Sequence, residues 1–234
     1  MKHLYINIAI LLHFGLTSAQ DISYSAPDSQ GIPLDQTLAK IMNIRNGIFI
    51  EVGAYNGIWC SNTKLLEECY GWKGILIEPC EKVYPTLCKN RPQAQCFNCA
   101  LGSFAEDDTY AYGDFQDSPM ASFTGRCSNK PKDTKVLIRS LQSILDECNV
   151  THVNFFSLDT EGYELNILKG IDFNKTIFDY ILIEIYKDQY EEIVSLLKEN
   201  GYELERCLSN YSKATNPDWD GTHNDYLFKR SSLR

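Results

Sequence analysis

Short apolar runs alternate with amphipathic segments along most of this 234-residue chain. Runs at 48–52, 74–78, 95–99, 152–158 and 180–185 have the length and branched character of buried strands. Between them, 61–70, 81–90, 140–148, 163–169 and 188–199 read as helices, several with apolar residues three and four apart on one buried face. Strands separated by amphipathic helices predict a parallel sheet with helices on both faces. A further helix is predicted at 33–43, where Leu34, Leu38 and Ile41/Met42 share a side, and a further strand near 134–138. The end of the chain breaks the rhythm. Segments 202–208 and 226–229 read as strands joined only by a loop, so the sheet finishes in an antiparallel hairpin. The fold expected is α/β: a mostly parallel, seven-stranded sheet with a C-terminal antiparallel hairpin. It spans one domain over residues 47–230, after an N-terminal segment 20–46 carrying the short helix.

Residues 102–135 fit neither period. Glu106-Asp107-Asp108, Gly113 to Pro119 and Cys127 to Pro131 are polar and rich in turn formers. Two readings stay open: a binding loop over a pocket, or solvated surface with a local hairpin.

Charge and cysteines narrow the setting. A formal net charge of −9 and a pI near 5.0 argue against a nucleic-acid partner. Met1-Lys2-His3 followed by an apolar stretch to Leu16 and by Thr17-Ser18-Ala19 has the form of a signal peptide. Cleavage after Ala19 is expected, with no membrane attachment afterwards, and the apolar stretch is short for a spanning anchor. Nine cysteines and three Asn-x-Ser/Thr sequons, at Asn149, Asn174 and Asn210, suit a secreted or luminal (ER/Golgi) glycoprotein with disulfides. Only Cys96-Phe97-Asn98-Cys99 has metal-like or redox-like spacing, and it lies on a predicted strand, so neither role is expected there.

The chemistry is concentrated at strand ends. Glu51-Val52-Gly53-Ala54-Tyr55-Asn56-Gly57 closes one strand with an acid and two glycines, and Glu78 closes the next. Glycines let backbone approach a ligand, and a carboxylate after the second strand suits the two hydroxyls of a ribose. A dinucleotide site reads G-x-G-x-x-G, whereas here the middle glycine is missing and an acid leads. That pattern would repel a pyrophosphate and suits S-adenosylmethionine, with its ammonium and sulfonium, over NAD. Ser157-Leu158-Asp159-Thr160-Glu161-Gly162-Tyr163-Glu164 places three acids and a glycine after another core strand. Helix capping explains one or two of these acids. His223, in Gly221-Thr222-His223-Asn224-Asp225, is either a base at the hairpin or a solvated loop residue.

These motifs, with Leu76-Ile77-Glu78-Pro79, Cys99-Ala100-Leu101-Gly102 and Asn224 to Phe228, resemble the FkbM family of S-adenosylmethionine-dependent methyltransferases, from about Ile48 to Phe228. The likeness is greatest to an animal subgroup with secretory signals. The resemblance implies a class I methyltransferase fold, Rossmann-like, and methyl transfer to an oxygen of a glycan or small-molecule acceptor. It implies that Glu51, Gly53, Ala54 and Gly57 line the methionine and ribose side of the cofactor, that Glu78 takes the ribose hydroxyls, and that Asn98, Cys99 and Ala100 lie near the adenine. Asp159 would orient or deprotonate the acceptor, supported by Glu161 and Glu164. The alternative role for those two acids is to hold a divalent cation through oxygens, but no metal is expected. A non-catalytic secreted or luminal interaction protein on the same fold is the alternative. Oligomeric state is not legible.

Overall fold

The computed structural model describes residues 22–126 and 130–233. The leader at 1–19 and Cys127 lie outside the described residues. A seven-stranded sheet runs in the order β3-β2-β1-β7-β8-β10-β9. Its strands are β1 (Ile48–Val52), β2 (Lys73–Ile77), β3 (Gln95–Phe97), β7 (His152–Leu158), β8 (Ile177–Tyr186), β9 (Tyr202–Cys207) and β10 (His223–Arg230). Pairings from β3 through β8 are parallel, and β10 runs antiparallel to both β8 and β9. The antiparallel strand therefore sits one place in from the edge, as the closing hairpin requires.

The strands are buried on both faces, which is why they read as continuous apolar runs. Alternate residues feed opposite cores. Ile50, Val52, Ile75, Ile77, Phe156 and Leu158 face one side, under Leu141, Ile144 and Leu145 of α4 (Leu141–Cys148). Ile167 and Leu168 of α5 (Glu164–Leu168) and Ile193 and Leu197 of α6 (Tyr190–Glu199) complete that layer. Phe49, Leu76, Phe155 and Leu182 face the other side. There they meet Leu38 of α1 (Leu34–Met42), Leu65 and Leu66 of α2 (Lys64–Tyr70) and Leu87 of α3 (Tyr84–Asn90).

Two departures from the sequence reading matter for the site. The run at 95–99 does not continue as one strand. Asn98 donates to the carbonyls of Glu78 and Pro79 at 2.9 and 3.2 Å, and the chain leaves the large sheet there. The 102–135 segment is not wholly irregular either. β4 (Ala100–Gly102), β5 (Thr109–Gly113) and β6 (Thr134–Ser140) form a separate sheet in the order β4-β6-β5. Ala100, Val136 and Ile138 of this sheet pack with Cys80, Val83 and Phe115, just outside the end of β2.

Register decides what the fold can do. Val52 pairs with Ile77 on one side and with Leu158 on the other; Ile77 pairs with Phe97 and Leu158 with Ile183. The next residue of each strand therefore falls in one row along the carboxyl edge: Asn98, Glu78, Gly53, Asp159, Glu184. Antiparallel β10 adds Asp225 opposite Glu184. The strand order reverses between β1 and β7, and such a switch point leaves a crevice at the carboxyl ends.

Candidate active site

Gly53 is the pivot of that row. Its φ is +83°, and a Cβ there would stand 1.9 Å from the Asp159 carbonyl oxygen. Only glycine allows the β1 and β7 ends to close this tightly. The Gly53 and Ala54 amides donate to the Ile77 carbonyl at 3.2 and 3.1 Å, so the turn is fastened to β2 as well. Two non-glycine residues at the edge also take positive φ, Tyr55 at 44° and Glu161 at 58°. Such conformations concentrate where a side chain is held for function.

Glu78 faces a narrow slot on the β2 side. One carboxylate oxygen accepts the Tyr55 amide and the other the Cys80 amide, both at 2.8 Å. Burial pushes its pKa up to about 7, and the two amide hydrogen bonds only partly counter this. The slot is walled by Ile77, Leu101, Phe115 and Ile167, with Cys99 and Ala100 along its floor. Phe115, Phe123 and Tyr163 also line it as a chain of ring contacts, Phe115 edge-on to Phe123 at 5.1 Å between centroids and Phe123 tilted against Tyr163 at 4.9 Å. An apolar slot with one fixed carboxylate at its end has the chemistry an adenosine asks for: faces for the base, acceptors for the ribose hydroxyls.

A second, wider cavity of about 240 Å³ opens on the β8 side. Asp159, Glu161, Glu184, Asp225 and His223 face it, together with Tyr55, Trp59 and Tyr211. The two cavities share Gly53, Pro119, Asp159 and Glu161. Burial, first, and then the charges of Glu161, Asp225 and Glu164 raise the Asp159 pKa well above the usual carboxylate range. Glu184 is raised by burial and by Asp159, and Asp225 chiefly by burial. Tyr186 donates its hydroxyl to Glu161 at 2.7 Å, and His223 Nε2 lies 3.4 Å from Glu184 Oε1.

The anticipated residues thus divide. Gly53, Glu78, Cys99, Ala100, Asp159 and Glu161 line one or both cavities. Glu51, Ala54, Gly57, Asn98 and Glu164 line neither. Glu51 accepts from Ser61 Oγ, Thr63 Oγ1 and the Asn62 amide at 2.7–2.8 Å, with Arg91 3.5 Å away. It ties the turn before α2 to β1. Gly57 makes room for Arg91 and Leu87, and Asn98 braces the Glu78 and Pro79 carbonyls. Glu164 Oε1 accepts the Thr160 amide and hydroxyl and the Gly162 amide, a cap on its own turn. The sequence reading missed Glu184 and Asp225, and left His223 between two readings. An acid inside the run 180–185 was the available signal. His223 belongs to β10 and stacks 5.1 Å from Tyr186, so it is not a solvated loop residue.

The eight described cysteines are free thiols, where disulfides were expected. Burial pushes Cys60, Cys96 and Cys99 up to about 12, which keeps them protonated and poorly reactive.

The model of the methyltransferase FkbM domain matches residues 51–204, well over half of the chain. The chain belongs to the FkbM methyltransferase family. Its fold is that of class I methyltransferases and its cofactor is S-adenosylmethionine, in agreement with the narrow apolar slot beside Glu78. No curated protein sequence matches it. Solved structures similar to this FkbM domain include the ribosomal protein L11 methylase of Lactobacillus delbrueckii, at 10% identity and TM-score 0.47, covering 84% of this chain and 77% of that one. A precorrin-6y C5,15-methyltransferase from Geobacter metallireducens shares 12% identity at TM-score 0.46, covering 82% and 83%. Aeropyrum pernix fibrillarin with natively bound S-adenosyl-L-methionine shares 11% at TM-score 0.47, covering 79% and 67%.

Proposed function

We propose that this FkbM domain methylates a hydroxyl oxygen of a glycan or small molecule, and that it does so in the secretory pathway. The carrying observation is the shared wall of the two cavities, which puts Asp159 and Glu161 between the apolar slot beside Glu78 and an open acidic chamber. When bound, S-adenosylmethionine supplies an electrophilic methyl group on a sulfonium. Glu78 holds the ribose hydroxyls, and Ile77, Leu101 and Phe115 hold the base. At about 40 Å³ the slot is tight, so a nucleoside can enter only if its lining, which includes Phe115, Pro119 and Phe123, moves apart.

Asp159 orients the acceptor hydroxyl and holds its proton. Its place on the wall shared by the two cavities puts its carboxylate within reach of a hydroxyl held in the chamber. Most of the acceleration comes from positioning the acceptor in line with the methyl group. Tyr186 keeps Glu161 fixed beside it.

The compartment rests on the signal-like leader and on the sequons, whose three asparagines are all exposed. A non-catalytic interaction module has no observation of its own in its favour. Labelled S-adenosylmethionine offered with panels of glycans and small hydroxylated compounds tests the proposal. Label should pass to an acceptor with wild type and not with Asp159→Asn. Cofactor binding without transfer to any hydroxyl would overturn it. Loss of mass on endoglycosidase treatment of protein expressed from the full chain tests the compartment; an unglycosylated, leader-bearing product would refute it.

A further inference from the structure

We propose that the acidic chamber holds a hard divalent cation between Asp159, Glu161 and Glu184. Each of the three offers an oxygen, and these oxygens all lie within 4.8 Å of one another. Two oxygens on opposite sides of a calcium ion stand about 4.6–5.2 Å apart, and on opposite sides of magnesium about 4.0–4.2 Å. Each pair of these oxygens therefore lies within the span of a calcium coordination sphere, and magnesium or manganese(II) asks for a tighter triangle.

A second observation separates this site from an ordinary acidic surface. The Glu184 side chain is only 11% exposed, and its Oε2 is fully buried with no hydrogen-bond partner among the described residues. That side chain lines the chamber beside Asp159 and Glu161. A buried carboxylate oxygen without a donor is costly and asks for a ligand. Glu164 behind the cluster is fully buried and also has an unpartnered oxygen, Oε2, while its other oxygen caps its own turn. Asp225 completes the wall; its amide donates to Ser209 Oγ at 2.8 Å, and His223 Nε2 lies 3.4 Å from the other Glu184 oxygen, Oε1. Carboxylates in such contact must share protons or a cation. All-oxygen donors select a hard cation over zinc or copper.

The site is built by strand register. Asp159 follows the end of β7, Glu184 lies one step beyond the paired Ile183 of β8, and Glu161 is turned inward by its positive φ. In its role the inference rests on the methyl-transfer reading: an ion there would bind the acceptor hydroxyl, lower its pKa and fix it beside the shared wall. In its existence it does not.

Calorimetric titration of the mature chain with calcium chloride, and separately with magnesium and manganese(II) chloride, tests it. At least one ion should bind with Kd at or below about 1 mM. Glu184→Gln and Glu161→Gln should each weaken that binding at least about tenfold, while Asp188→Asn, a surface acid, should leave it unchanged. Thermal melts of each variant establish that it is folded, and S-adenosylhomocysteine is titrated into the same samples. Nucleoside binding with no binding of any of the three ions overturns the cation site and leaves the transferase reading intact. Ion binding without nucleoside binding does the reverse. Ion binding that both glutamine variants retain also overturns the proposed site.

Discussion

Two acids largely shielded from solvent, Glu51 on β1 and Glu184 on β8, flank the central strand β7 of one sheet and are treated in opposite ways. Glu51 receives two hydroxyls and an amide, with a guanidinium close by. Arg91 itself is fully buried and spends its remaining donors on Glu67, Gly57, Ser61 and Thr63. Every group in that knot is answered. Around Glu184, by contrast, four carboxylates crowd one chamber and one oxygen is left without a donor. Folding alone explains the first arrangement. The second leaves unmet demand, and unmet demand at the carboxyl edge of a parallel sheet is what marks a site for ligands.

The comparison can be broken most forcefully at Asp159. Replacing it with Asn should cut the rate of methyl transfer by about 10²–10⁴-fold, the usual worth of a placed base, and steady-state kinetics with any identified acceptor reads this. A residual rate within a factor of a few of wild type would demote Asp159 to scaffolding. In the other region the effect should fall on stability. Arg91→Ala strands Glu51 and Glu67 without their cation and should cost about 3–5 kcal/mol, measured by denaturant unfolding. Gly53→Ala joins the two regions. It forces a left-handed non-glycine residue costing about 1–3 kcal/mol, and adds a backbone clash with Asp159. A Gly53→Ala protein with wild-type melting and activity would contradict the role given to that turn.

A smaller effect should appear with pH. Glu78 is protonated below about 7 because burial raises its pKa, and the neutral acid accepts ribose hydroxyls less well. Affinity for S-adenosylhomocysteine should therefore fall as pH drops from 8 to 6, by up to about tenfold if only the ionised form binds. Affinity that rises over the same interval would have the wrong sign for this residue.

Much of the fold was open to reading because the large sheet is buried on both faces. The runs at 48–52 and 152–158 match β1 and β7 residue for residue, each a continuous apolar strand bounded by turn formers. Of the small sheet only β6 was legible, as the strand near 134–138. Four of the five residues of β5, Thr109–Gly113, are exposed or half-buried, so no buried alternation betrays them, and β6 pairs with β4 more than thirty positions away. The candidate site split along the same line. Gly53, Glu78 and Asp159 announce themselves by following apolar runs with an acid or a glycine. Glu184 is hidden within its run, and Asp225 in the closing strand. Only the register of Leu158 with Ile183, and of Asp225 with Glu184, brings them to the same edge. Glu51 misled for the converse reason: an acid at a strand end looks the same in sequence whether it meets a ligand or an arginine.

Calorimetric titration of the folded mature chain with S-adenosylhomocysteine, in wild-type and Glu78→Ala forms at pH 8, bears most directly on the account. Saturable binding at a single site is predicted, weakened roughly ten- to a hundredfold in the variant by the loss of charge-assisted hydrogen bonds. Wild-type protein that binds no nucleoside, or a variant that binds it as tightly, would contradict the placement of the cofactor beside Glu78.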